Sequence, residues 1–438
     1  MRYDRHMVRH ALVAVTAAAG LALSFAGSAF AAQPYPLNFN SVDFSSGTIS
    51  GLVNSSGTLT LGSGTLPSFP YLDPHSAVPV LGETIDGSGS YSFGTWTSPV
   101  YHLSFPFNEL VSSWNAKTSP GTWVQSEVLP QLDDGHWASK WYILGRWTYS
   151  DSDFHRTSVG GQGNADGYVS IDTFLTKDHP AIAYRLRLTI YRRTGLTDAQ
   201  APVSVSRYSA VVSNLTNQKG SFPTATTMKA TVDLRLPPYS QEIHHGHYPE
   251  FDNGGEAWCT PTSTAMVVHY WQDVTGALYA PTSAETSWVY PPDDPEVDYA
   301  ARFVYDYHYH GAGNWPFNTA YAAERGLVAD VTQLHSLREA EPFINDGIPL
   351  VASVAWSSNK LDTAIKSTNG HLMVIGGFTG TGDVIAYDPA SPTDTDVRHV
   401  YDREQFERAW IPASGGIVYV VRPAGWPTPS LTANNFGE

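Results

Sequence analysis

A chain of 438 residues with one cysteine, Cys259, cannot form an intrachain disulfide. Whatever it folds into must therefore be held by buried apolar surface and hydrogen bonds. The supply is ample, at 42% hydrophobic and 13% aromatic residues. The length exceeds one core and predicts two domains. The cysteine itself lies in Gly254-Gly255-Glu256-Ala257-Trp258-Cys259-Thr260-Pro261-Thr262-Ser263-Thr264. A loop with two glycines runs into it, and a helical pattern over Thr262 to Trp271 leaves it. Unpaired N–H groups at a helix start favour the thiolate and can hold an oxyanion, and Pro261 suits the first turn. Cys259 is thus predicted to be a nucleophile. The competing reading is a small buried hydrophobe, and a partner histidine decides between them.

The first 31 residues read as a secretory signal peptide. Arg2, Arg5 and Arg9 precede the apolar run 11–27, and Ala29-Phe30-Ala31 supplies a small-x-small cleavage site. An exported, extracellular protein is expected, with no membrane span after cleavage. Removing three bases and one acid from the 25 Lys+Arg and 41 Asp+Glu leaves 22 and 40, a formal charge of −18. Such a surface repels nucleic acid and anionic membranes.

Residues 32–80 are rich in Ser, Gly, Thr and Pro and predict irregular chain or edge strands. Residues 81–236 predict an all-β domain of jelly-roll-like sandwich type, with short alternating runs separated by turns. In Ala183 to Tyr191, for example, Tyr184, Leu186, Leu188 and Ile190 alternate with Arg185, Arg187 and Thr189. Trp96, Trp114, Trp123, Trp137, Trp141 and Trp147 fall here. They offer either a stacking platform for a cell-wall or glycan ligand or inter-sheet packing, and packing is the commoner use. Asn164-Ala165-Asp166-Gly167 is a hairpin turn, and 217–221 is a loop. Residues 237–423 change character. Helices are expected at Thr262 to Trp271, Val297 to Tyr309, Asn318 to Arg325 and Leu337 to Asn345. Strands follow at Pro349 to Val354, His371 to Phe378, Val384 to Asp388, Val397 to Val400 and Ile417 to Val421. Helices first and strands afterwards indicate an α+β domain with an antiparallel sheet. The tail, 424–438, is broken by prolines and predicted to be loose.

Among sixteen histidines, His371 opens a strand. The turn Thr379-Gly380-Thr381-Gly382 follows, and the return strand ends at Asp388. Folding about that turn brings His371 and Asp388 within a residue or two of facing each other. A carboxylate there can accept the imidazole Nδ1–H and fix the tautomer. Cysteine, histidine and aspartate are the parts of a thiol-nucleophile site.

Four motifs stand in order: Pro237-Pro238-Tyr239-Ser240-Gln241, the Gly-Glu-Ala-Trp-Cys259-Thr-Pro-Thr-Ser run, Gly370-His371-Leu-Met-Val-Ile-Gly-Gly-Phe378, and Asp388-Pro-Ala390. With them the chain resembles the papain-like cysteine peptidases of the bacteriocin-processing (double-glycine leader) type, in particular secreted bacterial relatives. The similarity spans about 237–422. It implies a papain-like domain that cleaves peptide bonds, with Gln241 completing the oxyanion hole although it lies 18 residues before Cys259. A Gly- and His-rich insert separates the two. The family often has Cys-Gly where this chain has Cys259-Thr260.

The resulting expectation is a thiol hydrolase with Cys259 as nucleophile, His371 as proton relay, Asp388 as orienter and Gln241 at the oxyanion, acting on a peptide or protein. Two alternatives differ in kind. One is a papain-like amidase or acyltransferase on a non-protein amide; the other is a non-catalytic cell-wall or glycan binder. No cofactor and no metal are expected. His244, His245 and His247, and likewise His308 and His310, lack an accompanying ligand pattern in sequence and read as solvated or stacking side chains. Asp293, Asp294, Glu296 and Asp298 read as a wet helix start, with basic substrate selection as the sharper alternative.

Overall fold

The computed structural model describes residues 35–216, 222–290, 293–357, 361–363, 365–431 and 434–435. The signal segment and the 217–221 loop lie outside them. The front half is two sheets stacked face to face. One runs Gly167–Ser170, Thr173–Thr176, Glu109–Lys117, Ser204–Ser213, Leu37–Ser41 and Asn434–Asn435 in spatial order, with Leu52–Ser55 and Thr58–Leu61 attached. The other runs Tyr142–Trp147, Thr122–Leu132, Ala181–Arg193, Ser88–Thr97 and Thr48–Ser50, with Ser68–Leu72 and Tyr101–Phe107 alongside. The alternation in Ala181–Arg193 holds on its apolar face but only in part on the other, where Ala183 and Thr189 are buried as well. Tyr184, Leu186, Leu188 and Ile190 are wholly buried while Arg185 faces out. Burial of such a face is what holds two sheets together. Trp96, Trp114, Trp123 and Trp147 are also buried, so these four pack. Trp137 and Trp141 stay half-buried beneath Arg185 and Arg187.

Three segments depart from expectation. Residues 37–41, within the stretch expected to be irregular or edge chain, sit between two other strands, with Leu37 and Phe39 buried. The five-residue pattern was too short to read. The supposedly loose tail places Asn434–Asn435 parallel to Phe39 and Asn40, and Trp426 donates to the Asp346 carbonyl at 2.9 Å. Val232–Asp233, within the 81–236 stretch assigned to the all-β domain, pairs instead with the strand Thr368–Phe378 of the second half.

The second half has helices α1 (Cys259–Thr275), α2 (Pro295–Val304), α3 (Trp315–Glu324), α4 (Leu337–Asn345) and α5 (Arg403–Ser414). They surround an antiparallel sheet in the order Val328–Gln333, Ile417–Arg422, Leu350–Trp356, Thr368–Phe378, Val384–Tyr387 and Arg398–Tyr401. The strand Val328–Gln333 and helix α5 were not foreseen. Pro412 near the end of α5 and its charged start masked the helical period. Helix α1 is buried along most of its length, and Trp271 Nε1 donates to Val421 O at 2.7 Å. Among the described residues no helix is long and apolar enough to cross a membrane.

The halves share one apolar core. At the junction Asp330, 1% exposed, accepts from Arg207 Nε at 2.8 Å and from Ser209 Oγ at 2.7 Å. Asn115 pairs with the backbone of Ala329 in both directions. Helix α3 lies against the front sheet, where Phe317 meets Trp114 and Trp147.

Candidate active site

The approach to Cys259 is shaped by its two glycines. Gly254 has φ 87°, a conformation open chiefly to glycine. A Cβ on Gly255 would lie 2.0 Å from the Gln241 carbonyl oxygen. The pair thus lets the loop turn and press directly on the Gln241 backbone. The chain then enters α1, whose first residue is Cys259 and whose first amides have no intrahelical acceptor. Cys259 as a residue is partly exposed.

His371 lies in the strand Thr368–Phe378 and Asp388 just beyond Val384–Tyr387. A bulge at Gly376 shifts the pairing, so Val374 faces Tyr387 and Ile375 faces Ala386. His371 and Asp388 are therefore diagonal neighbours, a separation that long side chains bridge. His371 Nε2 lies 2.8 Å from Asp388 Oδ1. The expectation had Nδ1 meeting the carboxylate, and the structure corrects it. Diagonal placement sends the far nitrogen to the acid and leaves Nδ1, nearer the backbone, for the thiol.

The Cys259 thiol and the His371 ring lie close enough to act on one another's protonation. Burial pushes the thiol up, but His371, helped by the Leu372 amide, brings it below the ordinary cysteine value. Burial works against a charged His371, yet the Asp388 carboxylate and the thiol outweigh it and push His371 up to about 10. Asp388 is wholly buried. Burial would raise it, but the His371 charge and hydrogen bonds hold it below the usual carboxylate range. The arrangement favours a thiolate–imidazolium pair over two neutral groups.

Several neighbours were not legible in sequence. Tyr401 donates its hydroxyl to Asp388 Oδ2 at 2.9 Å, and the Ala390 amide donates to Oδ1 at 3.0 Å. The carboxylate thus serves three donors. Trp356, not Trp258, covers the histidine, edge to face with ring centroids 5.9 Å apart. Trp258 is buried, with Nε1 on the Phe251 carbonyl. No local pattern marks Tyr401 or Trp356, since both arrive from other strands of the sheet.

Gln241 is brought to the same place. Its amide donates to Pro389 O at 2.8 Å, directly after Asp388, and its Nε2 donates to Glu256 O at 2.9 Å, just ahead of Cys259. A second Nε2 contact goes to Glu242 Oε1 at 3.0 Å. The insert between Gln241 and Cys259 folds back on itself, with His245 bridging Gly254, so its length does not separate the two residues.

The other candidates divide. His308 and His310 sit exposed in a turn. His245 is exposed beside Glu256 at 3.1 Å. His244 is buried and His247 mostly so, and both face Asp298. Asp298 is itself wholly buried, which corrects its reading as part of a wet helix start; the two imidazoles make its burial tolerable.

Comparison with known proteins matches the halves separately. Residues 38–213 match the family model described as the Peptidase C39 N-terminal domain. Residues 233–418 match the Peptidase C39-like family. No curated protein matches the chain. Both models point to one enzyme class, and their limits follow the two halves of the fold: the chain belongs to the C39 family of papain-like cysteine peptidases, hydrolases of peptide bonds, and carries the N-terminal domain of that family ahead of the peptidase domain.

Proposed function

We propose that this is an exported cysteine peptidase working through Cys259, His371 and Asp388, with Gln241 at the oxyanion. The observation that carries the reading is the His371 ring held at 2.8 Å by the buried Asp388 carboxylate while it lowers the Cys259 thiol at the start of α1. The Cys259 thiolate attacks the scissile carbonyl carbon, and the carbonyl oxygen takes up the negative charge. The backbone N–H of Cys259 and one N–H of Gln241 Nε2 stabilise that oxygen, the latter on leaving Glu242. His371 passes the proton from Nδ1 to the departing amine, giving an acyl-enzyme. It then takes a proton from the water that releases the acid and restores the thiolate. Asp388 keeps the ring oriented throughout. Export is supported by the basic n-region, the apolar run 11–27 and Ala29-Phe30-Ala31.

The test is hydrolysis of casein or a peptide library by the wild-type chain and by Cys259→Ala. The variant is expected to lose at least about a thousandfold in rate; undiminished turnover removes the reading. Added amine acceptors distinguish hydrolysis from acyl transfer through the products formed.

A further inference from the structure

We infer that His244, His247 and Asp298 form a binding site for one divalent transition-metal ion of the zinc class. Binding itself does not depend on the peptidase reading. The three residues come from separate pieces of chain. His244 ends the short turn Glu242–His244, His247 lies in the loop after it, and Asp298 projects from α2. One donor atom from each lies within 4.8 Å of the others. His244 Nδ1 is 2.7 Å from Asp298 Oδ2, and His247 Nδ1 is 3.0 Å from Asp298 Oδ1. Bonds of about 2.0–2.1 Å to zinc put tetrahedral ligand atoms about 3.4 Å apart, so small movements seat an ion among them.

Hydrogen bonding alone does not account for the cluster. His247 Nδ1 makes an aligned hydrogen bond to the carboxylate. His244 Nδ1 is as close but misaligned, and Asp298 Oδ2 and both ring nitrogens of His244 are buried without a hydrogen bond. His244 is 1% and Asp298 0% exposed. Buried polar atoms in folded proteins are nearly always satisfied, and orphans of this kind need a partner. Two neutral imidazoles and a carboxylate are the donor set of three-ligand zinc sites, which keep a fourth position open. That position falls on the side of His247, whose side chain is 19% exposed. His245 turns away to Glu256 and takes no part. The sequence shows only a His-x-x-His pair, because the carboxylate stands about fifty residues later.

An ion here would tie the 241–247 loop to α2. The turn that ends at His244 starts at Gln241, whose carbonyl accepts the His244 amide at 3.1 Å. The metal would therefore fix the residue proposed for the oxyanion. This consequence, unlike binding, rests on the peptidase reading.

The experiment uses the full chain carrying Cys259→Ala, so that no thiolate can bind metal. It is stripped with a chelator and titrated with cobalt(II). The expected result is saturation at a single equivalent, with visible absorption bands of a low-coordinate nitrogen and oxygen site, and a higher Tm on adding zinc. His247→Gln, at a partly exposed position, and Asp298→Asn are each expected to weaken cobalt binding about a hundredfold or more. Circular dichroism checks that each variant is folded. No saturable cobalt bands in the parent overturns the proposal, as do bands that persist undiminished in a folded His247→Gln chain. Neither outcome bears on turnover, so the metal site and the peptidase reading fail separately.

Discussion

At the scale of single residues, the proposed chemistry turns on the protonation of Cys259 and His371. His371 is pushed up to about 10 from an unfolded value near 6.5. The stability it contributes is therefore complete below about pH 6.5 and is lost as pH rises through about 10. Asp388 is depressed, so its contribution is present above the unfolded carboxylate value and is lost as pH falls through its folded one. Between these limits the ion pair persists. Iodoacetamide should alkylate wild-type Cys259 readily at pH 6, and His371→Ala should slow that rate at least about tenfold, since burial is then opposed only by the Leu372 amide and Thr260. Equal rates in the two proteins would mean that the pair does not form. Gly255 gives a second prediction. A Cβ there would lie 2.0 Å from the Gln241 oxygen, which must move. Gly255→Ala is expected to cut kcat/KM by about two orders of magnitude through lost oxyanion support while alkylation of Cys259 continues. The control is the alkylation rate, which a collapsed site would also lose.

At the scale of elements, the strand Thr368–Phe378 organises the site. It carries His371, pairs with the strand that ends at Asp388, and offers its Leu372 carbonyl to Ser263 of α1 at 3.2 Å. Three elements thereby fix three functional groups. Tyr401, on the strand after Asp388, holds the carboxylate from behind. Tyr401→Phe removes one hydrogen bond to a charged, buried acceptor and is expected to destabilise the fold by about 1.5–3 kcal/mol. It should also raise the acid limb of the pH–rate profile, since a carboxylate with fewer donors titrates nearer its ordinary value. An unchanged limb would confine Tyr401 to packing. Much of this element-level arrangement was legible in sequence. One glycine-rich turn between two apolar runs sufficed to bring His371 and Asp388 together, and a lone cysteine at a helix start pointed to the third group of the proposed site. The nitrogen facing Asp388 was not legible, because it depends on a bulge that shifts the ladder by one residue. Nor were Trp356, Tyr401 and the Asp298 partnership with two histidines, which depend on strand order and helix docking rather than on spacing along the chain.

At the scale of the molecule, the front sandwich and the peptidase half form one packed body. The sandwich covers α3 and the strand Val328–Gln333, and the Arg207–Asp330 pair is buried where they meet. Asp330→Ala removes the buried acceptor that Arg207 and Ser209 share and is expected to cost about 1.5–3 kcal/mol by chemical denaturation. The wild-type chain is expected to unfold in a single calorimetric transition. Two separated transitions would show that the halves fold independently. The sequence indicated two domains correctly in character but not how closely they are joined, because an interface of alternating strands reads in sequence like any other buried sheet face.

The pairing of Asn434–Asn435 with the strand at Leu37–Ser41 bears on the order of assembly. A ribosome delivers residue 39 some four hundred residues before its parallel neighbour, so the rim of the front sheet stays open until residues 434–435 emerge. Until then an unpaired strand margin is presented to the surroundings, and a chaperone that sheathes it would be protecting an edge prone to stick.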